Sequence, residues 1–212
     1  IPRPDKMNEA VAVPYYRDVV KLGTNRELIP YSLYSLGKYH LELASDYRAG
    51  ITIIQDSDLH IAELDDDRAK IAALKRRIRE LRGLRRAHAD TAQRYFSRLI
   101  VEFPRDSVNV PEAYFVLASH YNVLGKPADR DTATTYAKAL IRGYWHSPRY
   151  QDALSLLAQI SFQDARMEYR DPAKHHAHYA EGLSYLAWLA REVDAYEAAE
   201  VPGVTPETPP MI

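Results

Sequence analysis

The chain of 212 residues contains no cysteine. That excludes disulfides, thiolate nucleophiles and thiolate metal sites, and it leaves the redox compartment open. Long apolar runs are missing too: none approaches the roughly 18 residues a membrane-spanning helix needs. Neither sign of charge is in excess. The formal net charge is -1, which implies no whole-protein attraction to nucleic acid or to an anionic membrane. There is no glycine-rich phosphate loop, no nucleophile elbow and no paired-carboxylate motif, so no enzyme, no catalytic residue and no cofactor is expected. Phenylalanine is scarce, with four residues against sixteen tyrosines. Tyrosine has an apolar body and a polar tip, which suits half-buried helix faces. No signal peptide is visible, and the first residue is Ile1 rather than methionine. The start is therefore expected to be processed or trimmed.

What is present is a beat. Ala92, Phe96, Leu99 and Pro104 are followed by Ala113, Tyr114, Leu117, Ala118, Tyr121 and Gly125, then by Tyr136 and Ala139. Ala153, Leu154, Leu157 and Ala158 begin another copy, 40 residues after Tyr114. Small residues where two helices touch and large ones between them are the pattern of stacked helical hairpins. Helices are predicted over 111–124, 130–144, 149–166 and 173–198. The last has apolar faces at Tyr179, Leu183, Leu186, Leu189 and Val193. Gly125-Lys126-Pro127 opens a loop between the first two. Nearer the start, Ala12, Tyr16 and Val19 read as a second-type helix ended by Gly23, with Thr24-Asn25 as a plausible cap for the next. Residues 30–44 read as a first-type helix with Leu33, Leu36, Gly37 and His40 on its packing face. Residues 1–9 are a polar lead, and 199–212, with four prolines in VPGVTPETPPMI, are a tail.

Between these parts no proline occurs from Tyr31 to Phe103. Two readings of the middle stay open. In one, a long antiparallel helical hairpin protrudes over 45–90, with Asp65-Asp66-Asp67 at its tip capping the second arm. In the other, a degenerate repeat turns at Ser45-Asp46-Tyr47. The β-branched run Ile51 to Ile54 and Asp56-Ser57-Asp58 weigh against an unbroken first arm. Leu64, Ile71, Leu74, Ile78 and Leu81 form a heptad seam for the second.

The beat resembles that of the tetratricopeptide (TPR) repeat family over roughly 10–50 and 88–190. The segment 92–162 is similar to repeats of bacterial envelope proteins, whose links read like Phe103-Pro104-Arg105-Asp106 through Pro111-Glu112-Ala113-Tyr114. The outer-membrane assembly lipoproteins of the BamD type and the Tol-associated coordinator proteins share this style. Thr132, where a repeat prefers alanine, departs from it. The resemblance implies an all-α, TPR-like solenoid over 10–198 that holds other proteins within a multi-subunit assembly. It implies a periplasmic, outer-membrane-associated location, with the cytoplasm as the alternative. The first helix lacks a first-type partner, so the chain is expected to be part of a longer polypeptide or to dock that helix on another subunit.

By the same resemblance, the partner groove is lined by first-helix residues. These are Tyr31, Tyr34 and Lys38, then Glu112, Phe115, Ser119 and Asn122, then Asp152, Ser155, Gln159 and Phe162. The set lacks the Lys/Asn/Arg group with which some TPR domains hold a C-terminal carboxylate, so an internal segment or a folded helix is the expected ligand. The alternative is that these faces pack within the array. A second feature is a basic arm. Between Arg68 and Arg86 lie nine Lys or Arg residues and one acid, Glu80. Lys75, Arg76, Arg79, Arg82 and Arg86 could bind nucleic acid or the anionic surface of a membrane, as a peripheral contact. Against that, no aromatics interleave with them, and they could instead pair with Asp56, Asp58, Glu63 and Asp65 of the other arm. His175-His176-Ala177-His178 is the only metal-like cluster. It lacks a third ligand at a telling spacing and is read as surface histidine, so no metal is expected.

Overall fold

The structure, a computed structural model, describes residues 4–23 and 25–199, with side chains over 11–23 and 25–192. The protein is all-α, with no strand among the described residues. The tail from 200 onward and the side chain of Val193 lie outside them, as does Thr24. Two compact units divide near Asp106.

In the first unit α1 (Pro4–Leu22) packs on α2 (Leu28–Ile53), and α2 packs along α4 (Arg68–Glu102). The predicted lead over 1–9 is thus already helical from Pro4. Gly23 ends α1 as expected, at φ +65, a conformation open to glycine at no steric cost. The expected cap at Thr24-Asn25 does not form over its described half, since α2 is preceded by Glu27 with no side-chain cap bond. Leu33, Leu36, Phe96 and Leu99 are fully buried, each contributing roughly 1.5–3 kcal/mol by leaving water.

The middle of the chain is a helical hairpin, which removes the degenerate-repeat reading. Ser45-Asp46-Tyr47 lies inside α2 and makes no turn. The first arm does not break at Ile51 to Asp58. It widens into a π-helical segment, Ile54–Leu59, and continues as α3 (His60–Leu64). β-Branched and short polar residues are poor in an α-helix, and one wider turn relieves the crowding without ending the arm. Asp66 adopts φ 50 at the tip. Its N–H donates to the Glu63 carbonyl, and the Asp67 N–H donates to the Ala62 carbonyl. This is a Schellman closure in which an aspartate takes the left-handed position more often given to glycine. Asp67 then caps α4 by accepting from the Lys70 N–H at 2.9 Å. Ile51, Ile78 and Leu81 bury the shaft, with Tyr47, Ile54 and Leu59 against them. The predicted seam therefore holds at Ile78 and Leu81 and in part at Ile71 and Leu74. Leu64 falls outside it, because it ends α3 and is exposed.

The second unit contains α5 (Asn109–Leu124), α6 (Pro127–Gly143), α7 (Arg149–Met167) and α8 (Pro172–Ala199). α6 packs on both α5 and α7, α7 packs on α8, and α5 touches α7. The predicted helices 111–124, 130–144, 149–166 and 173–198 are all present, each within a few residues of its expected ends. The loop expected at Gly125-Lys126-Pro127 is only two residues. Gly125 turns at φ 77, Lys126 is extended, and Pro127 begins α6, where its missing N–H costs nothing. Ala113, Leu117, Ala118, Ala133, Ala137, Ala153, Leu154, Leu157 and Ala158 are buried. Small residues let the helix axes approach, and the leucines fill the space between them.

Candidate partner-binding face

The face shared by α5 and α7 is organised by a residue outside the predicted set, Arg149. Its Nε donates to Glu112 at 2.7 Å and its Nη1 donates to Asp152 at 2.8 Å. Its guanidinium lies 5.1 Å from the centre of the Phe115 ring. The hydrogen bonds it donates to Glu112 and then to Asp152 hold the guanidinium charged, raising its pKa above the ordinary arginine range against the opposing effect of burial. One cation thus draws together three predicted groove positions from two helices. Such forked, charge-assisted bonds fix orientation as well as distance. The i, i+3 spacing of Arg149 and Asp152 was visible in the chain. The reach to Glu112 was not.

The other predicted positions divide. Ser155 and Gln159 are exposed, and Ser119 is half-buried, so all three can meet a partner. Phe162 is half-buried, its ring 5.2 Å from that of Tyr179 on α8. Asn122 is corrected: it is 8% exposed and part of the interior, its Oδ1 without a hydrogen-bond partner among the described residues. Tyr31, Tyr34 and Lys38 belong to the first unit. Tyr31 is half-exposed and meets Tyr16 edge-on at 5.8 Å. Tyr34 packs against Phe96 at 6.1 Å, and Lys38 lies 3.7 Å from Glu42.

The basic arm forms a stripe. Lys75, Arg79, Arg82 and Arg86 follow one another at i, i+4, i+7 and i+11, which places them on one flank of α4, with Arg76 beside them. All five are exposed. Pairing with the acids of the other arm is not present among the described residues. Arg77 instead meets Glu80 on its own helix at 3.2 Å, and Arg68 meets Asp66 at the tip at 3.8 Å.

Two polar clusters inside the packed units escaped sequence reasoning. Arg130, 6% exposed, donates from Nε to Asp164 and from Nη1 to the Gly125 carbonyl at 2.6 Å. In the first unit, Nδ1 of His40 lies 2.8 Å from Nδ1 of His88, with the two rings stacked at 5.1 Å. His175, from the histidine-rich start of α8, donates from Nδ1 to the Ala165 carbonyl at 2.9 Å. Among the described residues no group of three or more histidines and carboxylates gathers as a metal site.

No known protein family, curated protein or solved structure matches this chain.

Proposed function

We propose that the chain is a non-enzymatic protein–protein interaction scaffold of TPR type, one subunit of a larger assembly of the bacterial envelope. The observation that carries this reading is the arrangement of α5 to α8. Successive helices pack as hairpins, α5 and α7 lie side by side, and an Arg149 clamp rigidifies their shared face. A pre-ordered face of this kind, with Ser119, Ser155 and Gln159 presented around Phe115, suits an amphipathic helix or an extended segment of a partner. A periplasmic, outer-membrane-associated place rests on the style of the Phe103 to Tyr114 link. It agrees with the finding that no described helix is long and apolar enough to cross a membrane. The test replaces Ser155 and Gln159 together by Arg. Both are exposed, so stability should move by less than about 0.5 kcal/mol. Partners cross-linked and co-purified from the native source should be lost while helix content stays the same. Recovery of the same proteins in the same yield would move the binding surface elsewhere.

A second reading is favoured by the stripe on α4, whose five cations have no ion-pair partner among the described residues. In it, Lys75, Arg76, Arg79, Arg82 and Arg86 hold the phosphates of a nucleic acid or of an anionic membrane surface. Such binding would weaken steeply with salt. Retention on anionic vesicles or on heparin at low salt, abolished by Arg76→Glu with Arg79→Glu and Arg82→Glu, is its expected signature.

A further inference from the structure

The His40–His88 contact joins the two arms of the hairpin, His40 from α2 and His88 from α4. His40 is 7% exposed. Around the pair stand tyrosine rings. Tyr95 stacks on His40 at 5.9 Å, Tyr39 meets it edge-on at 5.5 Å, and Tyr47 lies 5.5 Å from His88. The charged groups acting on His40 from the helices packed against it are cations, Arg17 of α1 and Arg94 of α4. Among the described carboxylates of these helices, Glu42 lies 3.7 Å from Lys38, and Asp18, Asp46 and Asp90 are exposed.

Nitrogen atoms at this separation can bond in only one way. One Nδ1 carries a hydrogen and donates it, and the other offers its lone pair. A first added proton can go to the outer nitrogen of the donating ring and leave that bond intact. A second must occupy the accepting Nδ1 of the other ring. Two N–H groups would then face each other at 2.8 Å with no acceptor, and two arginines nearby add like charge.

We propose that His40 and His88 form an acid-sensitive latch between α2 and α4, closed at neutral pH and released when both imidazoles are protonated. Release opens the middle of the hairpin and uncovers the tyrosines around it. The helices of the second unit carry no part of the latch. Burial first, then His88, Arg17 and Arg94, bring the His40 pKa down to about 4, and burial lowers that of His88. An open pair in water would titrate near 6.5. Between these values the open state binds more protons than the closed one. The latch is therefore fully effective above about pH 6.5 and weakens as pH falls toward 4.

The experiment is amide hydrogen exchange on the whole chain at pH 7 and pH 5, corrected for intrinsic rates. It compares residues 37–47 and 85–96 with the second unit. The opening equilibrium of the two latch segments should rise by about 20-fold at pH 5, with α5 to α8 changing far less. His40→Gln and His88→Gln, each neutral at both pH values, should remove most of that rise. Equal acid sensitivity in both units would overturn the proposal. So would a rise that persists in both variants, or none in the wild type. Should the variants fail to fold, NMR titration of the wild-type imidazoles decides. One ring titrating below pH 5 supports the latch, and both titrating near 6.5 refute it.

Discussion

A Cβ atom built on Gly37 would lie 2.6 Å from Cε1 of Phe96. The ring of Phe96 is fully buried and occupies the place that a side chain on α2 would need. The same relation recurs in the second unit, where a Cβ on Gly182 of α8 would lie 2.7 Å from Cε1 of Phe162 on α7. Glycine is a poor helix former, so its use in the middle of two helices has a packing cause: each lets an aromatic ring seat against backbone.

The expected order of alanine substitutions follows. Gly37→Ala gains about 1 kcal/mol of helix propensity and loses more to overpacking, for a net destabilisation of about 1–2 kcal/mol. Gly182→Ala should cost less, because Phe162 is only half-buried and has room to yield. Gly83, with nothing within 4 Å of its Cβ position, is the control: Gly83→Ala should stabilise by roughly 0.5–1 kcal/mol. Urea unfolding midpoints rank the three. A destabilising Gly83→Ala, or a neutral Gly37→Ala, would contradict the packing.

Arg149 supplies a second prediction. Arg149→Ala removes both carboxylate bonds and the contact over Phe115, and leaves Glu112 and Asp152 without their shared cation. The site is partly solvated, so the loss in stability should be modest, about 1 kcal/mol. The loss in order at the face should be larger. Amide exchange in the first turns of α5 and α7 should quicken, and partner binding should weaken through a faster off-rate. Arg149→Lys cannot reproduce the fork and should rescue little. Full rescue by lysine would mean that charge alone matters there.

Much of this was legible before the structure. Ala113, Leu117 and Ala118 are buried where their spacing placed them, because small and large residues repeating along a helix are a direct consequence of helices touching. Asp65 to Asp67 announced a cap, since an N-terminal aspartate answers free N–H groups whatever the fold around it. The π segment was half legible. Ile51 to Asp58 displays poor helix formers, but a strained helix can either break or widen, and only packing against α4 decides. Contacts across the fold were not legible. Arg149 with Glu112, and His40 with His88, depend on the rotation and register of packed helices. Periodicity assigns a residue to a face without saying what it meets there. Asn122 was misplaced for this reason: its helical phase fits a lining position, while its neighbours bury it.

The basic stripe yields a third prediction, this one on stability. Among the described residues Arg76, Arg79 and Arg82 make no ion pair across the hairpin, and all three are exposed. Reversing the three to Glu should therefore change the unfolding free energy by less than about 0.5 kcal/mol, with little dependence on added salt. A loss above about 1 kcal/mol, recovered in high salt, would reveal attraction to the acidic arm acting at longer range.

Arg130 and Asp164 should behave very differently. Here the cation is almost wholly enclosed, and Asp164 is 23% exposed. Arg130→Met would leave a carboxylate and the Gly125 carbonyl without their donor. Breaking a buried pair from one side costs about 3–5 kcal/mol, and partial exposure of Asp164 puts the expectation near 3 kcal/mol. Arg130→Lys keeps the charge but cannot bond both acceptors at once, so it should lose about 1–2 kcal/mol. The double change Arg130→Met with Asp164→Leu removes both charges and should recover most of the single variant's loss, since the buried pair itself repays little more than its own desolvation. Thermal and urea unfolding of the three variants give the comparison. A double variant no more stable than Arg130→Met would assign the loss to the orphaned Gly125 carbonyl at the end of α5 instead of to the carboxylate.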